Sequence, residues 1–180
     1  KAISEQPEIS FGAVWIAPWP QCEALLTLDK ALSSQDRPSL TVAENKLELR
    51  KGDELPIQVI SPATYSYIYV TYIQADGSAV QLVQPQGAVQ SPTPPNQKLL
   101  FGDGVNGRQR FLVDAPFGPE LVIVIASRSP LFEVPIARRL SDREYLSVLR
   151  RSLIYRADAS LPDRDISASI STFTTREVTQ

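Results

Sequence analysis

Residues 65–83 read Tyr-Ser-Tyr-Ile-Tyr-Val-Thr-Tyr-Ile-Gln-Ala-Asp-Gly-Ser-Ala-Val-Gln-Leu-Val, which predicts two β-strands joined by one tight turn. β-Branched and aromatic residues occupy nearly every strand position, as a packed, pleated surface favours. Alternation divides the first strand into one face with Tyr65, Tyr67, Tyr69, Thr71 and Ile73 and another with Ile68, Val70 and Tyr72. Asp76-Gly77 supplies two residues that tolerate positive φ, so the turn is predicted to be type I′. The hairpin lies inside the stretch 47–127, around which the rest of the chain is organised.

Length and composition indicate an ordinary soluble globular chain. Its 180 residues suit one domain, and 43% of them are apolar and 21% charged. A formal net charge of -2 provides no broad basic surface, so we expect no nucleic-acid partner. The longest apolar run, Leu121–Ala126, has the length of a strand and not that of a membrane helix. No membrane insertion is therefore predicted.

The absence of His and the presence of a single Cys restrict the catalytic and metal-binding chemistry that the chain can carry out. The chain has no His, which removes Ser-His-Asp and Cys-His nucleophile activation and imidazole metal ligands. Cys22 is the single cysteine, so no internal disulfide can form, and we interpret it as a small buried apolar residue. The chain begins at Lys1 and has no Met, which predicts a segment of a longer protein. No cofactor is predicted.

The sequence pattern divides the single predicted domain into three regions. Residues 1–39 are predicted to be a lead-in packed on the core, with a strand at 9–16 that ends at the prolines around Trp19, and then an ambiguous segment, 21–32. That segment fits a strand in part, but we favour a short helix. Residues 40–135 form the predicted sandwich core, with strands expected at 40–43, 47–50, 55–60, 108–114 and 120–127 and in the hairpin, and with a short apolar segment at 98–101. Pro56 favours an edge position or the start of its strand.

Residues 136–180 change from a strand period to a helical one. Ser141-Asp142-Arg143-Glu144 has the form of a capping box, in which the Ser and Glu side chains each bind a free backbone N–H group. An apolar stripe at helical spacing then predicts an amphipathic helix over 142–155, most simply packed on the sandwich. Alternation over 166–171 predicts a final, half-buried strand. The predicted fold is therefore mostly β: an immunoglobulin-like antiparallel β-sandwich with a C-terminal amphipathic helix and a short N-terminal helix.

Two loops resemble binding motifs. Residues 102–107 spell G-x-G-x-x-G, but a dinucleotide site needs a helix after this loop, whereas residues 108–113 have a strand pattern. We therefore favour a hairpin turn. Asp103 and Asn106 carry oxygens that suit calcium, yet both are common turn residues and their spacing does not match a helix-loop-helix calcium loop. No metal site is predicted.

Paired carboxylates are the remaining route to catalysis in a chain without His. Two acids in a cleft can hydrolyse a glycosidic bond. The acids here are expected in turns and caps, and no two of them are marked as a pair: Asp53, Glu54, Glu120, Asp142 and Glu144. We therefore expect a protein that is not an enzyme, and keep a His-independent glycan hydrolase as an alternative.

A binding surface is predicted from the hairpin and the proline-rich loop 85–96. Tyr65, Tyr67 and Tyr69 share one strand face and could stack on a sugar or peptide, with Trp15 or Trp19 nearby. Loop 85–96 is long, extended and rich in proline, as functional loops often are. The candidate ligand-binding residues are Tyr65, Tyr67, Tyr69, Pro92, Pro94 and Pro95. For the tyrosines we favour simple packing against neighbouring structure, and for the loop a tolerated surface connection.

Short motifs occur in an order that resembles a known family. Lys51-Gly52-Asp53, Tyr67–Val70, Asp76-Gly77, Pro116–Glu120 and Ala126-Ser127 follow one another as in the bacterial domain-of-unknown-function family 4384. The resemblance covers about residues 40–132. Gln84-Pro85-Gln86 stands where the family often has Pro-Asn. Such domains typically follow peptidase, kinase or envelope-associated modules, so the resemblance implies a β-sandwich accessory module and supplies no catalytic residues.

The leading hypothesis is a non-catalytic accessory domain of a larger bacterial protein. It is expected to bind a protein, peptide or cell-envelope ligand, or to position a neighbouring catalytic domain of the same polypeptide. A structural assembly module that pairs through its helix or an edge strand is the second hypothesis, and it includes a homo-oligomer. The family's usual neighbours and the Ser- and Thr-rich strands favour an extracytoplasmic location, in the periplasm or cell envelope.

Overall fold

The computed structural model of the chain describes residues 18–85, 91–132, 134–157 and 166–178. The predicted strand at 9–16 lies outside these residues, as does Trp15. Three α-helices are present in the described ranges: α1 (Trp19–Thr27), α2 (Asp29–Leu32) and α3 (Asp142–Ala157). The strands are β1 (Ser39–Val42), β2 (Glu48–Arg50), β3 (Ile57–Ile60), β4 (Tyr67–Ile73), β5 (Ala79–Val83), β6 (Lys98–Phe101), β7 (Pro119–Ser127), β8 (Arg139–Leu140) and β9 (Ile166–Arg176).

The strands form two sheets, so the protein is mostly β as predicted. One sheet has three strands in the order β1-β3-β6, and the other has six in the order β2-β9-β7-β4-β5-β8. The prediction of a wholly antiparallel arrangement is wrong at one pair, because β2 runs parallel to β9, with Glu48 opposite Thr174. Parallel neighbours cannot be joined by a tight hairpin, and here most of the chain, from β3 to α3, lies between β2 and β9.

The six-stranded sheet is covered on both faces. Its central strand β7 is buried from Glu120 to Ser127, which confirms the prediction from its unbroken apolar run. Leu121, Ile123 and Ile125 face one hydrophobic core with α1, α2 and α3. Val122, Val124 and Ala126 face a second core shared with the three-stranded sheet. The tyrosine face of β4 belongs to the first of these cores, so the helices cover it.

The hairpin β4–β5 is confirmed, but its turn differs from the predicted type I′. Gly77 N–H donates to the Gln74 carbonyl (2.9 Å) and Gln74 N–H donates to the Ser78 carbonyl (2.9 Å), which closes a three-residue loop. Gly77 has φ 85°, whereas Asp76 keeps a negative φ. Asp76 instead accepts a bond from Ser78 N–H (2.9 Å). A turn that ends in a left-handed glycine bulge uses Asp-Gly in this way.

The predicted strand at 108–114 is wrong as a regular element. Residues 110–113 form isolated bridges only, and Phe111 lies between two other segments: its N–H donates to Gly102 (3.0 Å) and its carbonyl accepts from Leu55 (3.0 Å). This segment lies between the residues that precede β3 and those that follow β6. It pairs with each of them over too few residues to form a regular strand. Pro56 precedes β3, a start position as predicted, and β3 is the central strand of its sheet.

The helical predictions are confirmed with one change. In the capping box, Ser141 N–H donates to Glu144 Oε2 (2.9 Å) and Glu144 N–H donates to Ser141 Oγ (3.3 Å). Segment 21–32 is helical, but α1 begins at Trp19 rather than after the prolines. Pro20 lies in the first turn, where a missing N–H costs no helical hydrogen bond. The final strand also extends further than predicted, to Arg176.

Candidate functional site

The three predicted tyrosines have different environments. Tyr65 is 60% exposed, Tyr67 is half-buried against the helix-side core, and Tyr69 is 3% exposed. The Tyr69 hydroxyl accepts a hydrogen bond from Leu131 N–H (2.7 Å), and its ring meets Phe132 edge-on at 5.4 Å. The helical layer and the segment after β7 therefore cover this face at Tyr67 and Tyr69, which pack against neighbouring structure, and only Tyr65 presents an exposed ring.

The described part of the proline-rich loop is fixed beside Tyr65. Ser66 and Thr93 exchange two backbone hydrogen bonds, of 3.1 and 2.8 Å, in an antiparallel bridge. This register places Tyr65 opposite Pro94 and Tyr67 opposite Pro92. The structure thus brings together residues that are almost thirty positions apart in sequence. Pro94 is exposed, while Pro92 and Pro95 are half-buried.

Further hydrogen bonds hold both segments in place. Ser61 Oγ donates to the Pro94 carbonyl (2.7 Å) and accepts from Gln97 N–H (2.8 Å). Asn96 N–H donates to the Pro62 carbonyl (3.0 Å), with Asn96 in the left-handed region at φ 55°. A loop whose polar groups are bonded in this way loses little further entropy when it binds a ligand.

An acidic residue from the loop after α2 joins the other side of this region. Asp36 accepts hydrogen bonds from Ala63 N–H (2.8 Å) through Oδ1 and from the Thr64 hydroxyl (3.4 Å) through Oδ2. Its carboxylate therefore fixes the two residues that precede Tyr65. We call Tyr65, Pro92, Pro94 and Pro95 the Tyr65–proline surface. It combines one exposed aromatic ring with rigid apolar rings.

The glycine-rich loop has a structural explanation. Val105–Gly107 forms a single 3₁₀ turn, and residues 108–112 that follow are extended or bridged rather than helical. Arg108 binds both Asp103 oxygens, at 2.7 and 2.6 Å, and this guanidinium lowers the pKa of the Asp103 carboxyl to about 2. Asp103 is thus committed to an ion pair within its own turn, as expected for a turn residue and not for a calcium ligand.

The other acids considered for catalysis also have structural contacts. Asp53 accepts a bond from Arg50 N–H (2.8 Å), Glu54 forms an ion pair with Arg110 (3.4 Å), and Glu144 caps α3. Among the residues that the structure describes, no group of three or more acidic or cysteine side chains could hold a metal ion. Cys22 is half-buried rather than fully buried.

Glu120 is the acid whose environment sequence reasoning missed. It was expected in a turn, but its side chain lies at the start of β7 and is 0% exposed. Burial raises the pKa of the Glu120 carboxyl to about 7, against the opposing effects of the Tyr72 and Thr175 hydroxyls and the Ala75 N–H. Burial, together with the nearby Glu120 carboxylate, also raises the pKa of Tyr72. The sequence feature that could have indicated this burial is the position of Glu120 directly before the apolar run Leu121–Ala126.

Comparison with known proteins supports the family resemblance and adds no activity. The family model described as "Domain of unknown function (DUF4384)" matches residues 48–130. That segment includes Tyr65, Glu120 and the Tyr65–proline surface, and excludes α1, α3 and β9. No curated protein and no solved structure matches the chain. None of the described helices is both long enough and apolar enough to cross a membrane.

Proposed function

We propose that the chain, whose residues 48–130 match the family model of the domain of unknown function DUF4384, is a non-catalytic accessory module of a larger bacterial protein. In this proposal the module binds a protein or peptide segment through the Tyr65–proline surface. Positioning of a neighbouring catalytic domain is one use of such binding.

One observation carries this proposal: Tyr65 is 60% exposed although the residues on both sides of it are fixed. Ser66 is buried and paired with Thr93, and Thr64 donates to Asp36. An exposed aromatic ring on a rigid backbone contributes a large contact area at a low entropic cost, which is typical of the central residues of protein interfaces.

A crosslinking and titration experiment tests the proposal. A photo-crosslinkable phenylalanine derivative replaces Tyr65 in the full-length protein in its host, and the partner that becomes crosslinked to it is identified. This partner is then purified, and its affinity for the wild-type chain and for each variant is measured by titration. We expect Tyr65→Ala to weaken binding by at least about tenfold, the loss of one interface anchor. Leu47→Ala is the matched control, because Leu47 is also exposed, at 73%, and lies near the opposite end of the six-stranded sheet.

Equal affinities of wild type and Tyr65→Ala would overturn the assignment of this surface. Equal crosslinking from positions 65 and 47 would do the same, since it would indicate chance encounters. A partner that binds wild type and Leu47→Ala equally, and Tyr65→Ala weakly, would support it.

Assembly through an edge strand is the second candidate, and the geometry of β6 favours it over assembly through α3. Within the described residues, β6 pairs with β3 on one side only, and Leu100 of β6 is 38% exposed. An apolar edge of this kind can pair with another chain. Sedimentation over a wide concentration range tests it: a dimer that Leu100→Lys dissociates supports assembly, and a monomer at every concentration excludes it.

The relation of the two sheets supports an immunoglobulin-like sandwich as the fold type, which we include in the proposal. The sheets share the second hydrophobic core across β3, β4, β7 and β9. An experimental structure that superposes β3, β4, β6 and β7 on the corresponding strands of an immunoglobulin domain would support this type. A different strand correspondence would exclude it.

A further inference from the structure

Glu120 is buried, and none of the described residues places a positive charge against its carboxyl to compensate it. Its side chain is fully buried between the two sheets. The groups that act on its carboxyl are Tyr72 from β4, Thr175 from β9, and Ala75 and Asp76 from the hairpin turn, and none of these is a cation. A buried carboxylate without a cation is costly, and the usual response is to hold a proton.

The hydrogen bonds around this carboxyl are incomplete. The Tyr72 hydroxyl donates a hydrogen bond to Glu120 Oε2. Oε1 has no hydrogen-bond partner within the described structure, although the Thr175 hydroxyl and the Ala75 N–H lie close enough to favour the charged form. The Tyr72 ring also stacks on Phe173, at 6.2 Å between centroids, which restricts its movement. The carboxyl is therefore held firmly on one oxygen only.

This position is also where several separate segments meet. Ala75 belongs to the hairpin turn 74–78, and Gly118 packs against it so closely that an added Cβ would be 3.0 Å from the Ala75 side chain. On the other side of the turn, Gly77 lies against Pro20 of α1, and a Cβ at Gly77 would be 3.6 Å from Asp142 of α3. Arg139 of β8 reaches Gln74 (2.5 Å) and Ser78 (3.2 Å) of the same turn. The turn therefore connects Glu120 to the first residues of two helices.

We propose that Glu120 and Tyr72 form a proton-dependent latch, closed when Glu120 is protonated, that controls how tightly the 74–78 turn and the 115–118 loop close this end of the sandwich. Ionisation places an uncompensated charge between the sheets, next to Asp76, which repels it. Water entry is the simplest relief, and it requires the turn or the loop to move away. The pKa of about 7 places this transition near neutral pH.

Amide hydrogen exchange tests the latch. Protection of residues 74–78 and 115–118 is measured at about pH 5 and about pH 8 in wild type and in Glu120→Gln, which cannot ionise. We expect wild type to lose at least about tenfold more protection at these segments than Glu120→Gln over this interval. Comparing the two proteins at each pH cancels the intrinsic dependence of exchange on pH. Equal changes in both proteins would overturn the proposal.

Two further measurements keep the test decisive if Glu120→Gln does not fold. Tyr72→Phe retains the carboxyl but removes the hydrogen bond that stabilises its charged form, so the transition should move to higher pH. A transition that stays at the same pH, or moves lower, would contradict the latch. In wild type, the free energy of opening at residues 74–78 and 115–118 is compared with that of global unfolding in urea at the same pH, and equal values at about pH 8 would show that these segments open only by global unfolding, which would contradict the latch.

Discussion

Gly102 lies so close to Phe111 that a Cβ atom on the glycine would be 2.4 Å from Phe111 Cδ2 and 2.7 Å from the Leu55 carbonyl oxygen. Gly102 also has φ 76°, a conformation that other residues rarely adopt. Replacement by Ala therefore adds a steric clash to backbone strain. We expect Gly102→Ala to lower the free energy of unfolding by about 3 kcal/mol or more, measured by urea denaturation.

Gly52 is the matched control for this substitution. Its φ of 86° is similar, but an added Cβ would have no atom within 4 Å. Gly52→Ala should cost only the backbone term, about 1 to 2 kcal/mol. If the two variants lose the same stability, the contact between Gly102 and Phe111 does not restrict this position.

Removal of the Tyr69 hydroxyl tests the burial of the predicted tyrosine face. Tyr69→Phe leaves the buried Leu131 N–H without its acceptor and should cost about 1 to 2 kcal/mol of unfolding free energy. Tyr65→Phe removes an exposed hydroxyl and should change it by less than about 0.5 kcal/mol. The opposite order in thermal denaturation would show that Tyr69 is the solvent-facing ring.

The capping box of α3 provides a local test. Ser141→Ala removes the hydroxyl that accepts from Glu144 N–H and should destabilise the protein by about 1 kcal/mol. Ser147 lies exposed within the same helix, so Ser147→Ala should be neutral or slightly stabilising. Equal losses from both substitutions would indicate that the cap contributes nothing specific to stability.

Global stability should depend on pH through Glu120. Its carboxyl has an ordinary value of 4.5 when unfolded and a pKa of about 7 when folded, so the folded state binds the proton more tightly. Stability from this group is complete below about pH 4.5 and is lost as pH rises through about 7, by roughly 3 kcal/mol. Urea denaturation at several pH values should show this decline in wild type.

Two variants distinguish this effect from general titration. Glu120→Gln should remove the decline between these pH values, because the side chain at position 120 no longer titrates. Glu54→Gln changes an exposed acid paired with Arg110 and should leave the decline unchanged. A wild-type stability that rises over this interval would contradict the assigned direction of the Glu120 pKa.

The sequence alone determined the elements that local patterning controls. Alternation over 67–73, the apolar run of β7 and the capping box at Ser141 each predicted an element that the structure contains. Side-chain period and end signals are properties of adjacent residues, so they can be interpreted without knowledge of the fold. The order of short motifs likewise identified the family that matches residues 48–130.

Only the tertiary structure decided which faces and loops came together. The tyrosine face of β4 is covered because α1 and α3, far apart in sequence, pack on the same side of the sheet. Tyr65 remains exposed, and it lies opposite Pro94 because Ser66 pairs with Thr93. No local sequence pattern predicts this pairing. Glu120 acquires its raised pKa from burial between β4 and β9, its two neighbouring strands, although the Tyr72 and Thr175 hydroxyls on those strands act in the opposite direction. Contacts between distant segments depend on strand order and layer packing, which a periodic pattern does not specify.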